Sequence, residues 1–260
     1  MSTDQAQKKY TCQRVLDIWS WDSPGLISVK VTRDKNFNFI PGQFARIGLP
    51  SDGSQPEPDL WRAYSMVSHP DDDYLEFLSV TVADGQFSPK LATLSVGDDL
   101  WVEKAPFGFL TLERFLPAKA LWLVCTGTGL SAYLPMLRDA GTWENFDKVI
   151  VVHGIRTMRE LAYREQLQAL AKENSQFIYL PVTSREPWPE SEQAGCRVTQ
   201  AYTDGLLQKV TGQPLDPERA RIMLCGNPDM VTEMRGLLQA QGFAASRRGN
   251  PGTLAVENYW

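Results

Sequence analysis

From residue 119 the chain settles into a rhythm that few folds can accept. The apolar run KALWLVCTG (119–127) is followed by SAYLPMLRDA, whose apolar residues recur at helical spacing. KVIVVHGIR (148–156) leads into RELAYREQLQALAKEN (159–174), and FIYLPVTSR (177–185) is a third apolar run. RIMLCGNP (221–228) leads into DMVTEMRGLLQAQG, which stops at a glycine. A run apolar on every residue needs cover on both faces, and parallel neighbours need a long crossover between them. Repeated strand–helix units therefore predict a doubly wound parallel α/β sheet.

The first part of the chain has another texture. LISVKVT (26–32), FARIGL (44–49), YLEFLSVTV (74–82) and DLWVEKA (99–105) are short β-like runs broken by Gly, Pro and Asp. Short strands with regular turn signals predict an antiparallel β-barrel or sandwich. The texture changes near ERFLPAKA (113–120), which predicts two domains, residues 1–115 and 116–260. REPWPESEQAG (185–195) is polar and Pro-containing and is expected to be a surface loop.

Charge and composition remove several function classes. Lys and Arg number 26 against 31 Asp and Glu, a net charge of −5, which argues against non-specific nucleic-acid binding. No apolar run is long enough to cross a membrane, and MSTDQAQKKY carries no leader pattern, so a cytoplasmic protein is expected. The four cysteines, Cys12, Cys125, Cys196 and Cys225, form no C-x-x-C pair, which argues against a zinc or iron–sulfur site. Only two histidines occur, His69 and His153, in unrelated contexts.

Three motifs carry chemistry. In CTGTGLSA (125–132), Gly127 and Gly129 follow a strand and open a helical pattern, with Ala132 completing G-x-G-x-x-A. Such a unit offers backbone N–H groups to a pyrophosphate; a tight turn that simply needs glycine is the alternative. Arg156 ends the run VVHGIR, Arg185 follows VTS and Arg197 follows AGC; read as strand ends, these guanidinium groups suit a 2′-phosphate and favour NADP over NAD, although each taken alone could be a surface arginine. In VTVADGQFSPKLATL (80–94), a Gly85 turn precedes Ser88, expected as an N-cap with Pro89 at the first helical position. That is a second helix start suited to an anion, or an ordinary Ser-Pro start. Finally, WRAYS (61–65) puts Arg62 and Tyr64 on one face of a strand ending at Ser65. These residues suit a pyrophosphate, a flat ring and that ring's edge, or else form a surface pair on a barrel edge.

RAYS, VTVADGQFSPKL, GTGLSAYLP, VVHGIR, VTSRE, LCGNPDM and the tail VENYW together resemble, in order, the ferredoxin–NADP reductase superfamily, in its bacterial ferredoxin/flavodoxin branch. One departure is Ala132, where the family's G-T-G-x-x-P segment has proline; Pro135 falls later. The resemblance implies an FAD-binding antiparallel barrel followed by an NADP-binding α/β domain. It implies that Arg62, Ala63, Tyr64, Ser65, Val80, Thr81, Val82, Phe87 and Ser88 hold FAD, with Thr126 beside the flavin. Gly127, Gly129, Arg156, Arg185, Arg197, Cys225, Gly226 and Asn227 are implied to hold NADP(H). Two large aromatics are poor choices for a solvated terminus, so Tyr259 is expected to cover a ring face near the isoalloxazine and Trp260 to pack on the adenine side, or the pair plugs a groove between the domains.

The same resemblance implies hydride transfer between nicotinamide C4 and flavin N5, with Ser65, Cys225 and Glu257 as the catalytic group. Cys225 as a small buried filler and Glu257 as a solvated carboxylate are the alternatives. The partners implied are ferredoxin and flavodoxin, met transiently by a monomer. The pair Arg247–Arg248 suits an acidic carrier, or is simply solvated. A free-flavin reductase, the reductase component of an oxygenase and a non-catalytic electron-transfer subunit are the competing functions.

Overall fold

The computed structural model describes residues 8–52, 57–189, 193–247 and 249–258. Six strands build the first sheet: β1 Tyr10–Ser20, β2 Leu26–Thr32, β3 Phe44–Leu49, β4 Leu60–Ser65, β5 Tyr74–Val80 and β6 Asp99–Glu103. Their order is β4-β3-β6-β1-β2-β5, with every pairing antiparallel. β1 serves two neighbours. Its first residues pair with β6, and from Val15 onward it pairs with β2. A register shift between Val15 and Asp17 marks the change, the kind of bulge that lets one strand bend around a barrel. A bridge between Met66 and Phe77 brings the two sheet edges together, so the sheet nearly closes. Val29, Val31, Ile47, Phe77 and Leu100 fill the interior, each contributing about 1.5–3 kcal/mol by burial.

The second sheet is wholly parallel: β7 Ala118–Thr126, β8 Phe146–Ile155, β9 Phe177–Thr183, β10 Ala220–Gly226 and β11 Leu254–Asn258. The order is β11-β10-β7-β8-β9. Central β7 explains its own sequence. Leu121, Leu123 and Cys125 enter one apolar cluster, while Trp122 and Val124 enter the cluster on the other face. The crossovers carry α2 Ala140–Asn145, α3 Arg164–Glu173, α4 Val198–Thr203, α5 Leu206–Thr211 and α6 Pro228–Ala240. α6 ends as its sequence predicts, with Gly242 at φ +99° just past the last turn.

Several sequence expectations need correction. No α-helix follows the glycine turn; residues Gly127–Ala132 and Met136–Arg138 form 3-10 turns instead. Pro135 supplies no N–H, and the Tyr133 hydroxyl is drawn back to the Val124 carbonyl at 3.0 Å. The helix expected from residue 159 begins only at Arg164, because Tyr163 adopts a left-handed conformation at φ 57°. The end of the chain is not a loose segment: Leu254–Asn258 is the edge strand of the parallel sheet, with Cys225 opposite Glu257 and Gly226 opposite Asn258. Tyr259, Trp260 and Arg248 lie outside the described residues, and Arg247 is exposed.

The sheets meet along a mixed seam. Leu26, Val67 and Leu78 of the barrel join one cluster with Leu130, Tyr133, Met136 and Tyr163. Within it the Trp21 indole N–H donates to Ser28 Oγ (3.0 Å). The Ser28 hydroxyl lies 2.7 Å from the Tyr163 hydroxyl, which donates to Glu76 Oε1 at 2.5 Å. Each hydroxyl thus accepts once and donates once, as a buried chain requires. Burial pushes the Glu76 carboxyl up, against the Tyr163 donation that lowers it. Nearer solvent, Arg138 grips both oxygens of Asp72 at 2.6 and 2.7 Å.

Candidate nucleotide site at the sheet junction

The chain leaves β7 toward β8 and β9, then returns to lay β10 and β11 on the other flank. The β7–β10 boundary is therefore the switch point, where parallel sheets open a crevice beyond their carboxyl ends. A cleft of about 670 Å³ lies there. Thr126, Gly127 and Thr128 from the β7 end and Asn227 from the β10 end line it.

The two strand ends are stapled. The Asn227 N–H donates to Thr126 Oγ1 at 2.7 Å. Gly226, at φ +124°, lies so close that a Cβ would fall 2.4 Å from Thr126 Oγ1 and 2.7 Å from its carbonyl oxygen. Gly129 is equally confined, with a Cβ falling 2.7 Å from the Cys225 carbonyl oxygen. Gly127, at φ +51°, has nothing within 4 Å of a Cβ. Asn227 also caps α6, its side-chain oxygen accepting from the N–H groups of Asp229 (2.9 Å) and Met230 (3.1 Å).

Charge is segregated along the cleft. Arg156, Arg185 and Arg197 line the β8–β9 side, as the sequence placed them, and a backbone bond from Arg185 N–H to the Arg156 carbonyl holds two of those loops together (3.0 Å). Arg156 is paired with Glu160 (2.6 Å). Arg185 and Arg197 are exposed and form no salt bridge among the described residues. Asp229 and Glu233, from the first turns of α6, line the β10 side. An elongated anion is thus favoured toward β8–β9 and disfavoured toward α6.

The barrel supplies the other wall through Leu26, Val80, Thr81 and Val82. Val82 is 44% exposed. Ser88 corrects its expected role. The residue before α1, Ser88–Leu91, is Phe87, which makes no side-chain cap, and the Ser88 hydroxyl accepts the Val82 N–H at 2.9 Å. The Gly85 turn folds that hydroxyl back onto the loop instead of leaving it at the helix start. The Phe87 side chain is barrel core, 5.9 Å from the Tyr64 ring.

β4 lies on the barrel edge and does not itself line the cleft. Arg62 and Tyr64 stand opposite Ile47 and Ala45 and share a face, as alternation requires, with half-buried Ala63 between them. Arg62 remains exposed, while Tyr64 packs on Phe77 with its hydroxyl 3.1 Å from Ser79 Oγ. Ser65 is buried opposite Phe44. A Cβ on Gly108 would touch both Phe44 Cδ1 (2.9 Å) and Glu257 Oε1 (2.8 Å). Glu257 in turn stands beside Cys225, which is fully buried opposite Cys125. Ser65, Glu257 and Cys225 are thus linked through Phe44 and Gly108 across the sheet junction, but the thiol does not open on the cleft.

Sequence reasoning missed His153. It is buried in β8, with Nε2 3.0 Å from the Gly127 carbonyl oxygen and Nδ1 3.3 Å from the Tyr179 hydroxyl. Burial lowers its pKa to about 4, against the opposing effect of the Gly127 carbonyl. Its signal was an ionisable residue inside an otherwise apolar run.

Residues 123–236 match the oxidoreductase NAD-binding domain family. A Pseudomonas aeruginosa protein named ferredoxin–NADP reductase is 37% identical over 255 residues, covering 94% of this chain and 95% of that one. An Escherichia coli protein named flavodoxin/ferredoxin–NADP reductase is 35% identical over 224 residues, covering 85% of this chain and 88% of its own. The crystal structure of a ferredoxin NADP+ reductase from Neisseria gonorrhoeae, with bound FAD and NADP, superposes with a TM-score of 0.90 at 32% identity, covering 98% of this chain and 100% of that one. With relatives of that identity along nearly its whole length, and a switch-point cleft flanked by an antiparallel barrel, the chain belongs to the ferredoxin–NADP reductase family.

Proposed function

We propose that this protein is an FAD-dependent reductase that passes electrons between NADP(H) and the one-electron carriers ferredoxin or flavodoxin. The observation that carries it is the charge-segregated cleft: three arginines on one flank, two carboxylates on the other, and a wall contributed by the barrel. The tight Gly226–Thr126 approach and the arginine set fit a phosphorylated dinucleotide. Exposed Arg62, the Tyr64 ring and exposed Val82 fit a flavin with its pyrophosphate on the barrel side.

Bound FAD would convert between a hydride exchanged with the nicotinamide and single electrons exchanged with the carrier. This chain's residues bind and orient. Arg185 and Arg197 hold the 2′-phosphate, and Arg156, held straight by Glu160, lies between them and the switch point. Asp229 and Glu233 repel phosphate and so bias the dinucleotide's uncharged amide end toward Asn227 and Thr126. Arg62, Tyr64 and Ser65 hold the flavin with Ala63 and the Val80–Val82 backbone; Phe87 and Ser88 shape that loop from within. Cys225 acts as the floor beneath the reacting rings, and Glu257 holds charge at the junction. Tyr259 and Trp260 cover the flavin from the chain's end.

The same proposal divides the chain into a flavin domain, residues 1–115, and a nucleotide domain, residues 116–260. It describes a cytoplasmic monomer meeting its carriers transiently. Among the described residues no helix is long and apolar enough to cross a membrane.

The test is acid release of the bound cofactor, followed by NADPH turnover with purified ferredoxin, flavodoxin and free flavin as acceptors. Stoichiometric FAD and efficient turnover with a carrier protein are expected. Bound FMN, or turnover confined to free flavin, overturns the assignment.

A further inference from the structure

We infer that His153 is a positioning residue for the dinucleotide: it holds the Gly127–Thr128 peptide with its carbonyl inward and its N–H toward the cleft, as a donor to the diphosphate of NADP(H). The inference rests on the proposed NADP(H) role of the cleft.

The protonation state follows from the partners. A carbonyl oxygen only accepts, so the nitrogen 3.0 Å from Gly127 O must carry hydrogen. At neutral pH the buried ring is neutral and has one N–H. Nδ1 is then an acceptor, and the Tyr179 hydroxyl must donate to it. Burial keeps that phenol protonated. The ring is also fixed laterally, in register between Cys125 on β7 and Pro181 on β9.

The consequence falls on the next peptide unit. In a trans peptide the C=O and the following N–H point in opposite directions, and the described chain contains no cis bond. Drawing the Gly127 carbonyl inward to a buried histidine turns the Thr128 N–H outward. Thr128 lines the cleft. Gly127 fits this arrangement. Open space surrounds its missing Cβ, so glycine is required there by its left-handed φ of +51° and not by crowding. Without the histidine, the Gly127 carbonyl keeps only the bonding of its own 3-10 turn, and the Thr128 N–H is aimed at the diphosphate less firmly.

A residue that merely fills the core gives a different result in one experiment. The purified holoproteins of wild type, His153→Phe, His153→Gln and Tyr179→Phe are titrated calorimetrically with NADP+ and with 2′-phospho-AMP, which has the 2′-phosphate but no diphosphate bridge. His153→Phe is expected to weaken NADP+ about tenfold, the loss of roughly 1.4 kcal/mol, and to leave 2′-phospho-AMP and flavin content unchanged. His153→Gln, which retains an N–H donor, is expected to restore part of the NADP+ affinity. Tyr179→Phe preserves volume and is expected to weaken NADP+ alone, by less. Equal binding of both ligands by wild type and His153→Phe overturns the role, and so does a proportional loss of both. A wild type that binds neither ligand sinks the NADP(H) assignment of the cleft, and this inference with it.

Discussion

Gly226→Ala tests the central packing of the switch point. The residue sits at φ +124°, and an added Cβ would lie 2.4 Å from Thr126 Oγ1, 2.7 Å from its carbonyl oxygen and 2.8 Å from its nitrogen. Two of those atoms are backbone of central β7, so no rotamer change relieves the clash. A strained φ costs about 1–3 kcal/mol, and overpacking about 1–3 kcal/mol more. The sum, about 2–6 kcal/mol, corresponds to a fall of roughly 4–24 °C in Tm for a chain near this size. Gly236→Ala is the internal control. It lies on the exposed face of α6, with nothing within 4 Å of a Cβ and no unusual φ. Replacing a mid-helix glycine there stabilises by about 0.5–1 kcal/mol. Calorimetric scans of both holoproteins should therefore move in opposite directions. A Gly226→Ala protein that melts at or above wild type refutes the close approach of β7 and β10.

Other perturbations follow from the seam and the cleft. Burial raises the Glu76 carboxyl, so its stabilising contribution is complete below its unfolded pKa and is lost as pH rises through the folded one. Glu76→Gln keeps an acceptor for the Tyr163 hydroxyl, and denaturant midpoints should show it more stable than wild type at pH 7, with the advantage vanishing toward acid. A constant difference across pH contradicts the buried charge. Arg185→Ala with Arg197→Ala should remove most of the preference for NADPH over NADH by raising the KM for NADPH. Charge-assisted bonds of this kind are worth about 1.5–3 kcal/mol each, and full retention of selectivity in the double variant excludes them as the 2′-phosphate site.

Much of the fold was written locally. LISVKVT and FARIGL became β2 and β3 with the bounds their composition suggested, because Ile27, Val29 and Val31 of the one and Ala45, Ile47 and Leu49 of the other alternate into a single core. The misses share one cause: a partner outside the local pattern overrode a local preference. LAVEN joins the parallel sheet through β10, some thirty residues back, and five residues carry too little pattern to announce that. SAYLPML has helical spacing, yet Tyr133 bonds Val124 and Pro135 breaks the ladder. Ser88 has the chemistry of a cap, but the Gly85 turn brought a nearer N–H, that of Val82. In the site, Arg156 and Arg185 were legible because they follow β8 and β9, whose ends converge on one edge; Arg197 joins them from the residue before α4. His153 was not, since its importance lies in a carbonyl one strand away.

The most direct measurement is an anaerobic titration of the purified protein with NADPH, following the flavin absorbance. The cleft and the barrel wall should act as one site, so stoichiometric NADPH should bleach a bound FAD, and NADH at the same concentration should do so far more slowly. A protein that carries no flavin, or whose flavin NADPH leaves oxidised, contradicts the assignment.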